Sequence, residues 1–161
     1  MGRISLHRAR EFLAQNRIAV VGVSRDERDF SRQVLRALAE AGYAVVPVNP
    51  SLEAVEGRTC FARVCDVRPP VHAALLLTPP GETEEVVRDC ARAGVRHVWM
   101  HRGAGNGAAS AEALRYCDAN GISVVTDLCP FMALPDTGFP HNLHARLRVA
   151  FGRPRLAPAS R

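Results

Sequence analysis

Five short segments hold most of the side chains that could do chemistry, and each follows an apolar run typical of a buried strand. They are Gly22-Val23-Ser24-Arg25, Val48-Asn49-Pro50, Thr78-Pro79-Pro80, His101-Arg102-Gly103-Ala104 and Asp127-Leu128-Cys129-Pro130. Their hydroxyl, amide and guanidinium groups are suited to holding a polar ligand by hydrogen bonds and charge. An acid–base enzyme needs two titratable partners, and here only the imidazole of His101 titrates near neutral pH without help. The set therefore favours ligand binding over catalysis.

The first segment is suited to a phosphate. Gly22 lets backbone and ligand approach closely, Ser24 supplies a hydroxyl donor, and the helix predicted next presents free N–H groups at its positive end. Arg25, Arg28 and Arg32 bring three guanidinium groups to that helix N-terminus, which suits a ligand with more phosphate charge than NAD. Three acids in the same loop leave open the alternative that these arginines are ion-paired surface residues.

Ordinary dinucleotide binding is disfavoured by the same strand ends. The G-x-G-x-x-G fingerprint needs three glycines after the first strand, and Gly22 is the one glycine at those positions. The acid that holds a ribose 2′-hydroxyl at the end of the second strand is missing as well, since Val48-Asn49-Pro50 stands there.

The cysteines and histidines give weak signals for a metal or a nucleophile. Five cysteines without a C-x-x-C pair argue against a disulfide framework and a zinc ribbon, and they favour a reducing cytoplasm. His97 and His101 lie four apart on a predicted strand, about 13 Å from each other, which is too far to share a zinc ion. Cys129 is a candidate nucleophile or redox thiol, but no base is near it in the sequence. The alternative is a small side chain packed beneath the cleft.

The net charge of +5 belongs to the end of the chain. All 21 basic residues are arginines, and five of them follow residue 145, where there is no acid. Removing those five leaves 16 arginines to balance the 16 acids of residues 1–145. A nucleic-acid-binding domain usually carries its basic patch on the folded body, so we expect no nucleic-acid partner and a solvated basic tail.

The elements that position these segments alternate between strand and helix. Apolar runs rich in β-branched residues predict buried strands at 18–23, 43–48, 71–77, 95–100 and 122–126. Helical spacing predicts helices at 5–15, 32–41, 82–93 and 108–120, with Ser31 as the N-cap of the second. Residues 51–70 are predicted to hold a turn at Gly57 and at most one short helix. This alternation predicts an α/β fold, a doubly wound, mainly parallel five-stranded sheet with helices on both faces.

The length of 161 residues predicts one domain, residues 1–151, followed by a flexible basic tail at 152–161. No apolar run approaches the 18 residues that suggest a membrane-spanning helix, and the first ten residues lack the apolar stretch of a secretory signal. We therefore expect a cytoplasmic protein without a membrane partner.

The run from Ile18 to Pro50, IAVVGVSRDERDFSRQVLRALAEAGYAVVPVNP, resembles the family of small coenzyme A (CoA)-binding proteins. These are single Rossmann-like domains related to the CoA-binding domains of succinyl-CoA synthetase and ADP-forming acyl-CoA synthetases. Further segments match in the same order and spacing: Glu56–Phe61, Thr78-Pro79-Pro80, Trp99–Gly103 and Gly121–Pro130. Together they cover about residues 12–135.

The resemblance implies a ligand site along the strand ends. The phosphates of CoA would contact the end of the first strand and the next helix, through Gly22, Val23, Ser24, Arg25, Ser31 and Arg32. The adenine and ribose would lie against Val48, Asn49 and Pro50. The pantetheine arm would turn at Thr78, Pro79 and Pro80, and Gly103 belongs to the segment beside its thiol end. Near His101 or Arg102 the family more often has Gln or Glu.

The expected function is binding of CoA or an acyl-CoA by a non-catalytic carrier, sensor or accessory module. No run resembles the synthetase domain that carries a phosphorylated histidine, so ligase chemistry by this chain alone is not expected. The alternative is an enzyme of the thiol-dependent acyl-transfer or nucleotide-dependent reductase type that uses the same cleft. A homo-oligomer or an unidentified protein partner is left open.

Overall fold

A central sheet of five parallel strands organises the molecule, whose computed structural model describes residues 3–101 and 107–134. Its strands are β1 (Arg17–Val21), β2 (Ala44–Val48), β5 (Ala73–Leu76), β6 (His97–Met100) and β7 (Ser123–Val125). Between β2 and β5 the chain forms a small antiparallel hairpin from β3 (Ala54–Val55) and β4 (Arg58–Thr59). The spatial order of the main sheet is β2-β1-β5-β6-β7.

Helices cover both faces of this sheet. They are α1 (Arg3–Leu13), α2 (Phe30–Glu40), α3 (Pro80–Arg92), α4 (Ala111–Ala119) and α5 (Pro130–Ala133), with a 3₁₀ turn at Val64–Asp66. Alternate strand residues point to opposite faces, so Val20 packs in the cluster that holds α1, α2 and α5, while Val21 packs in the cluster that holds α3 and α4. All four residues of β5 are buried, as expected for a strand covered on both sides. The predicted doubly wound α/β fold is confirmed.

The direction of strand addition reverses between β1 and β5. After β1 the chain passes through α2 to β2 on one side, and it then returns to β5 on the other side of β1. Open α/β sheets bind ligands at such a switch point, outside the carboxyl ends of the strands. The residues after β1, β2 and β5 therefore define the edge where a ligand is expected.

Two local expectations are corrected by the structure. The N-cap of α2 is Asp29 rather than Ser31, because the Asp29 carboxylate accepts a hydrogen bond from the Ser31 backbone N–H and the helix begins two residues earlier than predicted, at Phe30. The stretch 51–70 contains the β3–β4 hairpin, which was not predicted. Its turn residues Glu56 and Gly57 both have positive φ (49° and 70°), the pattern of a tight two-residue hairpin turn.

The basic tail predicted at 152–161 lies outside the described residues. Among the helices that the structure describes, none is long and apolar enough to cross a bilayer.

Candidate functional site

Gly22 lies where β1 and β5 come closest at their carboxyl ends. Its φ is +86°, and a Cβ atom there would sit 3.0 Å from the Leu77 carbonyl carbon and 3.1 Å from the Thr78 nitrogen. Only glycine avoids both the contact and the left-handed backbone strain. The close approach that the structure shows at Gly22 is thus with protein backbone, and its assignment to a ligand phosphate stays a prediction.

The loop between β1 and α2 is held by hydrogen bonds among its own polar groups. The Ser24 backbone N–H donates to the Ser31 hydroxyl over 2.8 Å, and that hydroxyl in turn donates to the Asp29 carboxylate. The Ser24 hydroxyl accepts from the Asp26 N–H at 3.1 Å. Ser31 is buried and Ser24 is half-buried, so the loop is ordered before any ligand arrives.

Asn49 ties the ends of β1 and β2 together. Its side-chain amide donates to the Val23 carbonyl over 2.8 Å, and its Oδ1 accepts from the Ser51 N–H over 2.7 Å. Val23 and Val48 are buried, whereas Pro50 is exposed. Of the three residues that the sequence analysis placed against adenine and ribose, Pro50 therefore offers an open surface, and Asn49 supports the loop from beneath.

Arg32 is engaged within the protein. Its Nε and Nη2 donate to Glu56 Oε1 over 3.0 and 2.7 Å, and its Nη1 donates to the Ser24 carbonyl over 3.2 Å. Arg36 donates to the same carboxylate oxygen, over 3.0 and 2.6 Å. The hydrogen bonds from Arg36 and then Arg32 hold the pKa of Glu56 below its ordinary value. Glu56 thus fastens the β3–β4 hairpin to α2 and, through Arg32, to the β1 loop.

This role of Glu56 was missed in the sequence analysis. The residue appeared there only within a segment that resembled the family. The signal that could have found it is the dipeptide Glu56-Gly57, since a hairpin turn at that point returns the acid toward α2. The guanidinium groups of Arg25 and Arg28 differ from that of Arg32 because both residues are exposed.

The chain passes from the end of β5 to the start of α3 through Thr78, Pro79 and Pro80. The Thr78 hydroxyl is buried and lies 3.0 Å from the Thr83 hydroxyl, which donates to the Pro79 carbonyl over 3.1 Å. Pro79 and Pro80 are exposed, and Pro79 caps α3 without a side-chain hydrogen bond. The two proline rings therefore form a fixed apolar rim with a polar layer beneath it.

A cavity of about 200 Å³ opens beside this rim, lined by Asp29, Phe30, Ser31, Thr78 and His101 among others. The Phe30 ring stacks on the His101 imidazole with their centroids 4.6 Å apart and their planes 19° apart. Burial lowers the pKa of His101, which favours the neutral imidazole at pH 7. Its Nδ1 is buried and has no hydrogen-bond partner within the described part of the chain. Gly103, the last predicted site residue, lies outside the described residues.

Cys129 and Asp127 lie apart from this cavity. Cys129 is half-buried at the start of α5, where no hydrogen bond joins its thiol to a base among residues 3–101 and 107–134. Asp127 lines a second cavity with Ser110, Leu114 and Thr126. Trp99 is a core residue, 1% exposed, and donates from Nε1 to the Leu128 carbonyl over 2.8 Å. In those same described ranges, no cluster of three or more His, Cys, Asp or Glu side chains could hold a metal ion.

Known proteins share this architecture. A hypothetical protein from Pyrococcus horikoshii OT3 superposes with a TM-score of 0.75 at 29% identity, over 83% of this chain and 94% of that one. The dinucleotide forming acetyl-coenzyme A synthetase 1 of Ca. Korarchaeum cryptofilum matches with a TM-score of 0.60 at 30% identity, over 68% of this chain and 25% of that one.

A curated relative is the ADP-forming acetate–CoA ligase of Methanocaldococcus jannaschii, 24% identical over 79 residues. These residues are 49% of this chain, and they span 11% of the ligase. The profile of the CoA binding domain family matches residues 16–135 and so includes the ends of all five strands. The resemblance found in the sequence is confirmed, and the chain belongs to the family of CoA-binding-domain proteins.

Proposed function

We propose that the chain binds CoA or an acyl-CoA at the switch point and acts without chemical turnover, as a carrier, sensor or accessory module. The observation that carries this proposal is the family match over residues 16–135, which takes in the ends of β1, β2, β5 and β6. The proposal is supported at that same edge by three loops that internal hydrogen bonds fix in place and by a cavity that lies beside them.

The charged end of CoA is assigned to the loop after β1. Arg25 and Arg28 have exposed side chains there, next to the N-terminus of α2. Such groups bind phosphate oxygens by charge-assisted hydrogen bonds. Arg32 acts instead by fixing the Ser24 carbonyl and pairing with Glu56, so its contribution to phosphate binding is through loop position.

The adenine, the ribose and the pantetheine arm of CoA are assigned to the remaining predicted residues. We assign the adenine and ribose to the surface of Pro50 above Asn49, and the pantetheine arm to the rim formed by Pro79 and Pro80. Gly22, Val23 and Val48 hold the strand ends in place beneath the ligand, and Thr78 closes the floor beside the arm. Gly103 remains a prediction from the resemblance.

Binding without turnover is supported by the state of the titratable groups near the sheet. Burial raises the pKa of Cys60 and raises that of Cys117 to about 11, so neither is a thiolate at neutral pH. From the odd number of cysteines and the lack of a C-x-x-C pair we also propose a reducing, cytoplasmic location.

The proposal is tested by isothermal titration of the purified chain with CoA, and with NAD and NADP as matched nucleotide controls. We expect saturable binding of CoA and none of NAD at the same concentration, because the glycine fingerprint and the ribose acid are absent. Incubation with acetyl-CoA, followed by chromatography, should show no loss of the thioester. Equal binding of NAD and CoA would overturn the ligand assignment, and thioester consumption that Cys129→Ser abolishes would establish the acyl-transfer alternative instead.

A further inference from the structure

Two arginines of α2 bond to the same oxygen of Glu56, but they differ in what else they contact. Arg32 and Arg36 each donate from Nε and Nη2 to Glu56 Oε1, over 2.6–3.0 Å. Arg32 also donates from Nη1 to the Ser24 carbonyl over 3.2 Å, whereas Arg36 has no second acceptor within the described part of the chain. Both arginines thus tie the β3–β4 hairpin to α2, and Arg32 ties it to the loop after β1 as well.

Arg32 depends on the Glu56 carboxylate more than Arg36 does. The Arg32 side chain is 8% exposed, and that of Arg36 is 40% exposed. In the ranges 3–101 and 107–134, Glu56 is the acid that pairs with Arg32. A buried guanidinium that loses its counter-charge is left with an uncompensated desolvation cost, so it turns toward water. Removing Glu56 should therefore also release the Ser24 carbonyl from Arg32.

The Ser24 carbonyl sets the direction of the next backbone N–H. The peptide bond between Ser24 and Arg25 is trans, so its C=O and N–H groups point in opposite directions. Because the carbonyl points to the buried Arg32, the Arg25 N–H points away from that side chain. This N–H makes no hydrogen bond to any described residue, whereas the Ser24 N–H donates to the Ser31 hydroxyl. It is a backbone donor of the kind that binds oxyanions, and it belongs to a residue whose side chain is exposed.

We propose that Glu56 is a positioning residue for phosphate binding, which acts through Arg32 to hold the Ser24–Arg25 peptide with its N–H presented to a phosphate of CoA. The inference rests on the proposed function and adds to it a residue of the β3–β4 hairpin that the sequence did not place in the site. Glu56 acts without contacting the ligand, because its Oε1 is bonded to α2. By reciprocity, bound CoA should strengthen the attachment of the hairpin.

The sign of the change in affinity distinguishes positioning from an effect of charge alone. A carboxylate near a phosphate site repels the phosphate, so its removal would raise CoA affinity if charge were its only effect. Loss of a positioning residue lowers the affinity, because the loop no longer presents its donor. Glu56→Ala should therefore weaken CoA binding about fivefold, within the range for one hydrogen bond. Glu53→Ala is the matched control, since it removes an exposed carboxylate from the same segment, and it should not weaken CoA binding.

The variants Arg32→Met and Arg36→Met test the route to the loop. Methionine keeps a flexible, unbranched stem and lacks the guanidinium, so each variant removes one cation from Glu56. Titration calorimetry of the full chain should show about fivefold weaker CoA binding for Arg32→Met and a loss below about twofold for Arg36→Met. Amide spectra of the ligand-free, ¹⁵N-labelled chain give a second readout. The Arg25 amide resonance should move in Glu56→Ala and Arg32→Met and stay in place in Arg36→Met.

The outcomes separate this inference from the proposed function. If the wild-type chain fails to bind CoA, the proposed function is wrong and the inference falls with it. If wild type binds CoA and Glu56→Ala binds it equally well or more tightly, the ligand site stands and the positioning role is wrong. Equal losses in Arg32→Met and Arg36→Met would overturn the route through the Ser24 carbonyl. Should Glu56→Ala lack a cooperative melting transition, Glu56→Gln and the two arginine variants decide the question.

Discussion

The loops after β1 and β2 and the cavity at the end of β6 lie on the same sheet edge but use their polar groups in opposite ways. In the two loops, Ser24, Asn49 and Arg32 are bonded to neighbouring protein groups. In the cavity, the imidazole of His101 stacks on Phe30 and keeps an unpartnered nitrogen within the described residues. The first region has its shape fixed by internal hydrogen bonds, whereas the second contains a buried ring nitrogen that lacks such a bond within the described residues.

We use this difference to separate residues that shape the proposed site from residues that are proposed to contact the ligand. Preorganised loops lower the entropy cost of binding because the chain does not have to be ordered when the ligand arrives. Changes to the bonded residues should therefore appear first in the free energy of unfolding. Changes to the exposed Arg25 and Arg28 should appear in ligand affinity alone.

The largest loss of stability is expected for Gly22→Val. The added Cβ would contact the Leu77 backbone at 3.0 Å, and the φ of +86° is strained for a valine, so we expect damage to the fold itself as well as to ligand binding. We expect about 3 kcal/mol or more from strain and overpacking together. Urea unfolding followed by circular dichroism measures it. Gly42→Val is the matched control, with a similar φ of +94° but no atom within 4 Å of the added Cβ, and it should cost clearly less.

Glu56→Gln should have the next largest effect. It removes the charge that pairs with the buried Arg32, at a cost of about 2 kcal/mol, the range for hydrogen bonds to charged groups. Because the pKa of Glu56 is lowered in the folded state, its contribution is present above the ordinary carboxyl pKa and is lost as pH falls through the lowered value. The difference between wild type and Glu56→Gln in urea unfolding should therefore shrink on acidification below about pH 4.5.

The exposed Glu53 supplies the control for this comparison. Glu53→Gln should change stability by no more than about 0.5 kcal/mol at any pH. A Glu56→Gln variant as stable as Glu53→Gln at pH 7 would show that the Arg32–Glu56–Arg36 cluster does not hold the hairpin.

Asn49→Ala should cost about 1 kcal/mol per hydrogen bond removed, less any part recovered by water. Since these bonds join the ends of β1 and β2, CoA affinity should fall together with stability. Asn120→Ala, which removes a side-chain bond to the Tyr116 carbonyl at the exposed end of α4, is the control and should leave CoA affinity intact. Thermal melting measures the stability and calorimetry measures the CoA affinity of the same samples. A CoA affinity equal to wild type in Asn49→Ala would contradict a role for the Asn49 hydrogen bonds in holding the proposed site.

The smallest change in stability is expected for Arg25→Ala, within about 0.5 kcal/mol, because its side chain is exposed. Its CoA affinity should nevertheless fall about tenfold, as expected for one lost charge-assisted hydrogen bond to a phosphate. Dephospho-CoA measured in parallel tells whether the 3′-phosphate is the group that Arg25 meets. If Arg25→Ala and Arg28→Ala both bind CoA like wild type, this loop is only an ion-paired surface.

The sequence was sufficient for the fold because buried strands need continuous apolar runs, and runs such as Ile18–Val21 and Val45–Val48 are long enough to recognise alone. It also located the strand ends at which the ligand site is proposed. It could not tell which polar groups at those ends bond to one another, since the Asn49–Val23 and Arg32–Glu56 contacts join residues 26 and 24 positions apart. The same limit hid the β3–β4 hairpin, whose strands of two residues carry no measurable periodicity.

The most direct test of CoA binding at the switch point is a titration of the ¹⁵N-labelled chain with CoA, followed by amide chemical shifts. The account predicts the largest shifts at Gly22, Ser24, Arg25, Asn49 and Thr78, with Ser110 and Asp127 at the second cavity unaffected. Shifts confined to Ser110, Thr126 and Asp127, with the amides after β1 unmoved, would place the ligand elsewhere and contradict the account.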